Sequence, residues 1–238
     1  MIPPTGTELA MNTKTPIYHR DLMQGSDEWL AARIGLLTAS EVKSIMTPTL
    51  KPSKNEDTRA HAYELLSQRL FGFEAQRPET WDMLRGRDDE VYARVAYEEH
   101  FAPVEEVGFI TSDAMGFRMG YSPDGLVGDD GLIEIKSRAP KFQVKTILTG
   151  EVPKDYVLQI QTGLLITGRK WLDFISYSGG LPMVTIRVYP DPIMQQAIIT
   201  AATEFEASIA ALHAEYHAAL SSGRKLIPTE RRIIGEFV

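Results

Sequence analysis

The stretch Tyr121 to Lys136 reads Y-S-P-D-G-L-V-G-D-D-G-L-I-E-I-K, and the rest of the chain is organised around it. Asp124 follows a proline and precedes a glycine, a pairing that marks a tight turn. A short strand over 126–127 and a turn over 128–131 predict a hairpin whose second strand carries Glu134, Ile135 and Lys136. Side chains alternate faces along a strand, so Glu134 and Lys136 share one face while Ile135 points into the core. The hairpin folds Asp124 back towards Glu134, and the carbonyl of Ile135 lies at the same edge. Two carboxylates, a carbonyl and an ammonium then converge on one point. Hard divalent cations such as Mg²⁺ take oxygen ligands of this kind and keep several waters. A lysine beside them suits a nucleophilic water or the charge of a phosphoryl transition state. An isolated E-x-K is more often a solvated ion pair, so its meaning depends on the rest of the chain.

The chain has 238 residues, 43% of them hydrophobic, which suffices for a sizeable core in one large domain or two small ones. Its formal charge is −7, so any nucleic-acid surface is local rather than global. There is no cysteine. That excludes disulfide scaffolds, cysteine zinc sites and iron–sulfur clusters, and it is compatible with a reducing cytoplasm. No apolar run approaches the roughly 20 residues of a membrane span, and no signal-peptide core opens the chain.

Residues 1–18 are polar and rich in Pro and Thr, and read as an N-terminal arm; residues 19–238 read as a single domain. Ser26 with Asp27 and Glu28 starts a helix that Gly35 ends. Thr38 and Glu41 form a capping-box pattern that predicts a second helix, with Ser40 in its first turn. Free N–H groups at a helix start favour an anion, so Ser40 with Arg33 makes a candidate phosphate cradle; an ordinary salt bridge for Arg33 is the plainer alternative. The loop over 47–57 holds Lys51 and Lys54, which could brush a nucleic-acid backbone. Amphipathic helices follow over 58–70 and, after a break at 72–78, over 79–100. The second contains R-G-R-D-D-E-V-Y-A-R, in which Glu90 lies on the same side as Tyr97.

Strands over 104–111 and 117–121 are expected to join 126–127 and 132–136 in one antiparallel sheet segment. A helix over 140–148 carries Lys141 and Lys145. The next, over 155–167, carries Gln159 and Gln161 among apolar residues, where an amide needs a partner. Strands over 171–177 and 184–189 precede one long helix over 191–220, capped by Asp191 with Pro192 at its first position. His213 and His217 stand four apart on it, a zinc-compatible spacing without an evident third ligand. The tail from Gly223 is basic and then apolar.

Arg33 and Ser40, Glu90, Asp124, Glu134-Ile135-Lys136 and Gln159 thus occur in a definite order. With it the chain resembles the lambda exonuclease family (YqaJ-like viral recombinases) of the PD-(D/E)xK nuclease superfamily. The resemblance spans about 24–189 and is carried by Q-G-S-D-E-W-L-A-A-R-I-G-L-L-T-A-S-E-V, G-R-D-D-E, S-P-D-G-L, L-I-E-I-K and Y-V-L-Q-I-Q. It implies an α/β restriction-endonuclease-like core, a central mixed sheet flanked by helices, with the long C-terminal helix (about 191–222) as an elaboration. It implies Mg²⁺, replaceable by Mn²⁺, held by Asp124, Glu134 and the Ile135 carbonyl. Lys136 is implied to position and help deprotonate the attacking water, and Glu90 to complete the acid set. Arg33, Ser40 and Gln159 are implied to grip a 5′-terminal phosphate; Asp113 lies near a further family acid, but the turn there is one residue longer.

The activity implied is 5′→3′ digestion of one strand of linear double-stranded DNA from 5′-phosphorylated ends, leaving a 3′ strand for annealing. A ring-shaped homotrimer, a single-strand annealing protein as partner, a phage or prophage origin and the bacterial cytoplasm as location are implied with it, and no membrane. Another endonuclease or repair nuclease of the same superfamily, or a non-catalytic DNA-end-binding scaffold, would share many of these residues.

Overall fold

The structure, a computed structural model, describes residues 15–74 and 80–230, with residue 82 by its backbone alone. Most of the expected N-terminal arm, part of the 72–78 break and the apolar end of the tail lie outside the described residues. The chain enters on β1 (Ile17–His19), so the last residues assigned to the arm belong to a sheet. In α1 (Asp27–Arg33) the Ser26 hydroxyl accepts the Trp29 N–H at 3.2 Å, and Gly35 follows the helix at φ +70°, a conformation glycine adopts without strain.

The second expected helix is absent. Leu37–Thr38 form β2, and only a single 3₁₀ turn, Val42–Ile45, comes after. The physical reason lies in how Glu41 is used. Its Oε2 accepts both the Thr38 N–H (2.8 Å) and the Thr38 hydroxyl (2.6 Å), so the box closes on itself. Leu37 and Val42 meanwhile are fully buried and hold the segment against the core. Ser40 therefore sits in an exposed turn and not at an α-helix N-terminus.

Helix α2 (Glu56–Phe71) is capped by Asn55 and ended by Gly72 at φ +62°; α3 (Trp81–His100) is capped by Thr80. Strands β3 (Phe109–Ser112) and β4 (Met119–Tyr121) form an antiparallel hairpin, as do β5 (Gly125–Val127) and β6 (Gly131–Ser137). These four strands do not make one antiparallel segment. The first hairpin joins a mixed sheet of order β1-β3-β4-β2, with β2 parallel to β4. The second joins β7 (Trp171–Tyr177) and β8 (Val184–Val188) in order β5-β6-β7-β8, with β6 parallel to β7. The division falls at Ser122-Pro123, where proline offers no N–H to extend a ladder; pairing resumes when the Asp124 N–H donates to Ile133 O at 3.2 Å.

Helices α4 (Pro140–Thr149) and α5 (Lys154–Thr167) connect the parallel pair β6 and β7, and α6 (Pro192–Leu220) follows β8. The Asp191 carboxylate caps α6 by accepting the Ile193 and Met194 N–H groups. Two apolar clusters result. The larger gathers β2, β4, α2, α5 and the buried stripe Ile198, Ala202, Phe205 and Ile209 of α6. The smaller seats Ala93 and Tyr97 of α3 on Val127, Ile133, Ile135 and Ile175. Ile133 and Ile135 are each worth about 1.5–3 kcal/mol of apolar burial, which fixes α3 against that face. Alternation then turns Leu132 and Glu134 to the other side, towards the larger cluster.

Candidate active site

Asp124 is held by the turn between the two sheets. Its Oδ2 accepts the main-chain N–H of Ile135 at 2.5 Å. In a strand, the N–H and C=O of one residue point to the same edge. The Ile135 carbonyl therefore lies on the edge that β5, which pairs only as far as Ile133, leaves open. Asp124 Oδ1 has no hydrogen-bond partner among the described residues, and Asp124 lines an open cleft of about 1890 Å³ together with Glu90, Arg94 and Ser40.

Glu134 is almost fully enclosed. Its Oε1 receives Lys136 Nζ at 2.6 Å and Gln159 Nε2 at 2.5 Å, and its Oε2 receives the Tyr121 hydroxyl at 2.7 Å. Lys136 also lies over the Tyr156 ring, 5.5 Å from its centroid. Three elements thus meet on one carboxylate: β6 supplies the pair, β4 the tyrosine and α5 the glutamine. Gln159 is committed to Glu134, rather than standing beside Arg33 and Ser40.

Electrostatics follow from this enclosure. Burial first, and then the neighbouring charges of Glu134 and Glu90, push the Asp124 carboxyl well above the ordinary carboxylate range. Burial also raises Glu90, against the opposing effect of Arg94 and with reinforcement from Glu134. For Lys136, burial works against the charge, but Glu134 and Asp124 outweigh it and hold the ammonium protonated. Two carboxyls of raised proton affinity, Asp124 and Glu90, the Glu134 carboxylate that contributes to both shifts and a nearby main-chain carbonyl offer oxygen donors of the kind a hard cation takes. Among the described residues no three His, Cys, Asp or Glu side chains are close enough to form a metal site by themselves.

Arg33 lies apart from this network but is linked to it. Its Nη1 donates to the Ser122 hydroxyl at 3.2 Å, two residues before Asp124, and its guanidinium packs 4.4 Å from the Trp29 ring. Burial lowers its pKa, with Glu41 opposing. Ser40 is exposed, 3.2 Å from the Thr38 hydroxyl. Asp113 pairs with Arg118 at 3.0 Å on the β3–β4 turn. His213 and His217 face each other at 3.2 Å on exposed α6.

Four contributors carried no local signal in the sequence. Tyr121 anchors Glu134, Tyr156 underlies Lys136, Ser122 receives Arg33, and Arg94 donates to the Asp124 carbonyl at 3.4 Å while standing 3.9 Å from Glu90. A pairing beside the site joins Ser137 to Asp89 at 2.5 Å, tying the end of β6 to α3 next to Glu90.

Mixed sheets flanked by helices, with Pro-Asp before a hairpin and Glu-Ile-Lys on its second strand, define the class: the chain has the fold of the PD-(D/E)xK exonucleases. It belongs to the YqaJ-like viral recombinase domain family, whose family model matches residues 28–170. It is similar to the alkaline exonuclease LHK-Exo from Laribacter hongkongensis, at 35% identity and a TM-score of 0.73, over 83% of this chain and 99% of that one. The crystal structure of LHK-Exo in complex with dAMP matches at 37% identity and a TM-score of 0.73, covering 83% and 98%. A phage related exonuclease from Haemophilus somnus 129PT, at 12% identity and a TM-score of 0.58 over 76% and 96%, shares the fold. Among curated proteins there is no match. Family and relatives together support a nuclease role in recombination.

Proposed function

We propose that the protein is a divalent-metal-dependent 5′→3′ exonuclease that digests one strand of linear double-stranded DNA from 5′-phosphorylated ends and leaves a 3′ single strand for recombination by annealing. The observation that carries this reading is the meeting of Asp124, the Ile135 main chain, Glu134 and Lys136 at one point beside an open cleft. Asp124, Glu134 and the Ile135 carbonyl would hold the cation, Mg²⁺ or in its place Mn²⁺. When bound it supplies positive charge against the scissile phosphate and lowers the pKa of water.

The chain's own residues do the rest. Lys136, kept protonated by Glu134, donates N–H bonds that orient the attacking water and offset charge on the phosphate. Tyr121 and Gln159 hold Glu134 in one orientation, so that it does not turn towards solvent. Glu90 completes the acid set from α3. The water gives up a proton to solvent as its oxygen bonds to phosphorus, the P–O3′ bond breaks, and the departing O3′ takes a proton from solvent. A nucleotide leaves with a 3′-hydroxyl, and the remaining strand carries a new 5′-phosphate. Arg33 and Ser40 would receive that phosphate, which makes each product end the next substrate end, while Gln159 stays with Glu134.

A homotrimeric ring would confine duplex without a basic exterior, in keeping with the net charge of −7. A single-strand annealing protein is the partner this product calls for. Among the described residues no helix is long and apolar enough to cross a membrane, and a phage or prophage protein of this kind would act in the bacterial cytoplasm. Linear duplex labelled at either end, with and without 5′-phosphate, tests the reading in Mg²⁺ and in EDTA, with light scattering for the ring. Stepwise loss from the phosphorylated 5′ end in Mg²⁺ alone is expected. Cleavage of closed circular DNA, or loss from the 3′ end, would overturn it.

A further inference from the structure

A second crevice opens between α4 and α5, at the far end of β6. It encloses about 310 Å³, shares no lining residue with the large cleft, and is bordered by Arg138, Phe142, Lys145, Glu151, Lys154 and Asp155. Arg138 follows Lys136 by two residues. Its N–H still donates to Tyr177 O at 2.7 Å, so the β-ladder continues to it. At about 3.3 Å per residue, the Cα atoms of the two residues stand about 7 Å apart along the strand, comparable to the step between successive phosphates in an extended polynucleotide. Tyr156 spans them, its ring 5.5 Å from Lys136 Nζ and 5.2 Å from Arg138 Cζ.

The polar inventory of this crevice is incomplete. A guanidinium has five N–H donors. Arg138 uses one on a protein acceptor, Nη1 to the Tyr156 hydroxyl at 2.7 Å, and its buried Nε has no partner among the described residues. Glu151 and Asp155 line the same space, yet neither accepts from it. Helix α5 begins there without a side-chain cap, leaving first-turn N–H groups for an anion. Phe142, whose ring centroid is 5.2 Å from Arg138 Cζ, is half exposed and offers a face on which a base can stack. A phosphodiester in the crevice offers acceptors to the remaining guanidinium N–H groups of Arg138, and its neighbouring base a stacking partner for Phe142.

We propose that this crevice binds the phosphodiester next to the scissile one on the strand being cut, with Arg138 as the anion contact and Lys145 and Lys154 as surrounding charge. The assignment rests on the reading of Asp124, Glu134 and Lys136 as the cutting site.

The test measures binding of a 5′-phosphorylated duplex oligonucleotide to the full-length protein in EDTA, across a salt series, followed by digestion in Mg²⁺. Arg138→Gln is expected to weaken binding by about 10–100-fold. It should also flatten the slope of log affinity against log salt by about 0.7–0.9, the value of one lost phosphate contact. A merely structural arginine would leave that slope unchanged. Arg138→Lys should restore the slope, with part of the affinity. In digestion, Arg138→Gln should raise KM with little change in kcat. Unaltered affinity and slope in Arg138→Gln, from a wild type that does digest DNA, sink the crevice and leave the nuclease reading standing. A wild type that never digests DNA, but whose slope drops in Arg138→Gln, sinks the nuclease reading and leaves a polynucleotide site. Should Arg138→Gln fail to fold, the exposed double variant Lys145→Gln/Lys154→Gln decides by the same slope: a drop upholds the proposal and an unchanged slope ends it.

Discussion

The Asp124 carboxylate accepts the main-chain N–H of Ile135 at 2.5 Å, so the turn between the sheets is fastened directly to the strand that carries Glu134 and Lys136. The bond holds one oxygen of Asp124, a residue that lines the cleft. It also sets the Ile135 carbonyl on the same edge. The backbone thus fixes the Asp124 carboxylate and the Ile135 carbonyl relative to each other, while Tyr121 and Gln159 fix the Glu134 rotamer.

Asp124→Asn keeps an acceptor for Ile135 but removes the charge. It is expected to lower kcat on linear duplex by at least about 10²–10³-fold, with DNA binding in EDTA retained. Lys136→Gln should give a loss of similar size. Digestion by both variants at near wild-type rates would refute the site.

Chelated protein should become less stable as pH rises. Asp124 and Glu90 have folded pKa values above their unfolded ones, so the native state binds more protons than the unfolded chain. Their contribution is fully present below the unfolded carboxylate pKa of about 4 and is lost as pH rises through the folded values. Other carboxylates titrate too, so the informative quantity is the Tm of wild type minus that of Asp124→Asn in EDTA, which should fall as pH rises. Adding Mg²⁺ at pH 8 should restore the wild type, by about 2.7 kcal/mol at a concentration 100 times Kd. A difference in Tm that stays constant with pH would contradict the assignment.

Tyr97→Phe removes the hydroxyl that donates to Asp173 Oδ2 at 2.7 Å, on the same helix as Glu90. Arg187 keeps its two 2.8 Å bonds to Asp173, so the carboxylate is not left bare. The expected cost is about 1–3 kcal/mol in urea unfolding. Asp173→Ala should cost more, since it leaves a buried hydroxyl and a cation unpaired.

Gly163 sits one turn after Gln159 on α5, where an added Cβ would lie 2.7 Å from the Tyr121 ring. Gly163→Ala must displace the ring whose hydroxyl holds Glu134. The variant is expected to lose about 1–3 kcal/mol of stability and to fall in kcat under conditions where it remains folded. Thermal melts and digestion rates on the same preparation check both effects.

Much of this was legible along the chain because it is local. Periodicity and capping residues located α2 through α6 to within about two residues, and the alternation of Leu132, Ile133, Glu134, Ile135 and Lys136 assigned their faces correctly. The misreading at Thr38 to Ser40 has a local appearance and a nonlocal cause. The capping pattern is genuine, but burial of Leu37 beside β4 draws the segment into a parallel strand, and propensity yields to packing.

What the sequence by itself determined is the hairpin chemistry: which oxygens and which ammonium meet, because turn geometry and a two-residue repeat act over neighbours. Only the tertiary structure decided what surrounds them. Tyr121, Arg94 and the pair Tyr156 and Gln159 come from three different elements, β4, α3 and α5, the expected antiparallel segment divides into two sheets at Ser122-Pro123, and Gln159 turns to Glu134. Such contacts follow from how helices and sheets pack across large separations in the chain, where no sequence period operates.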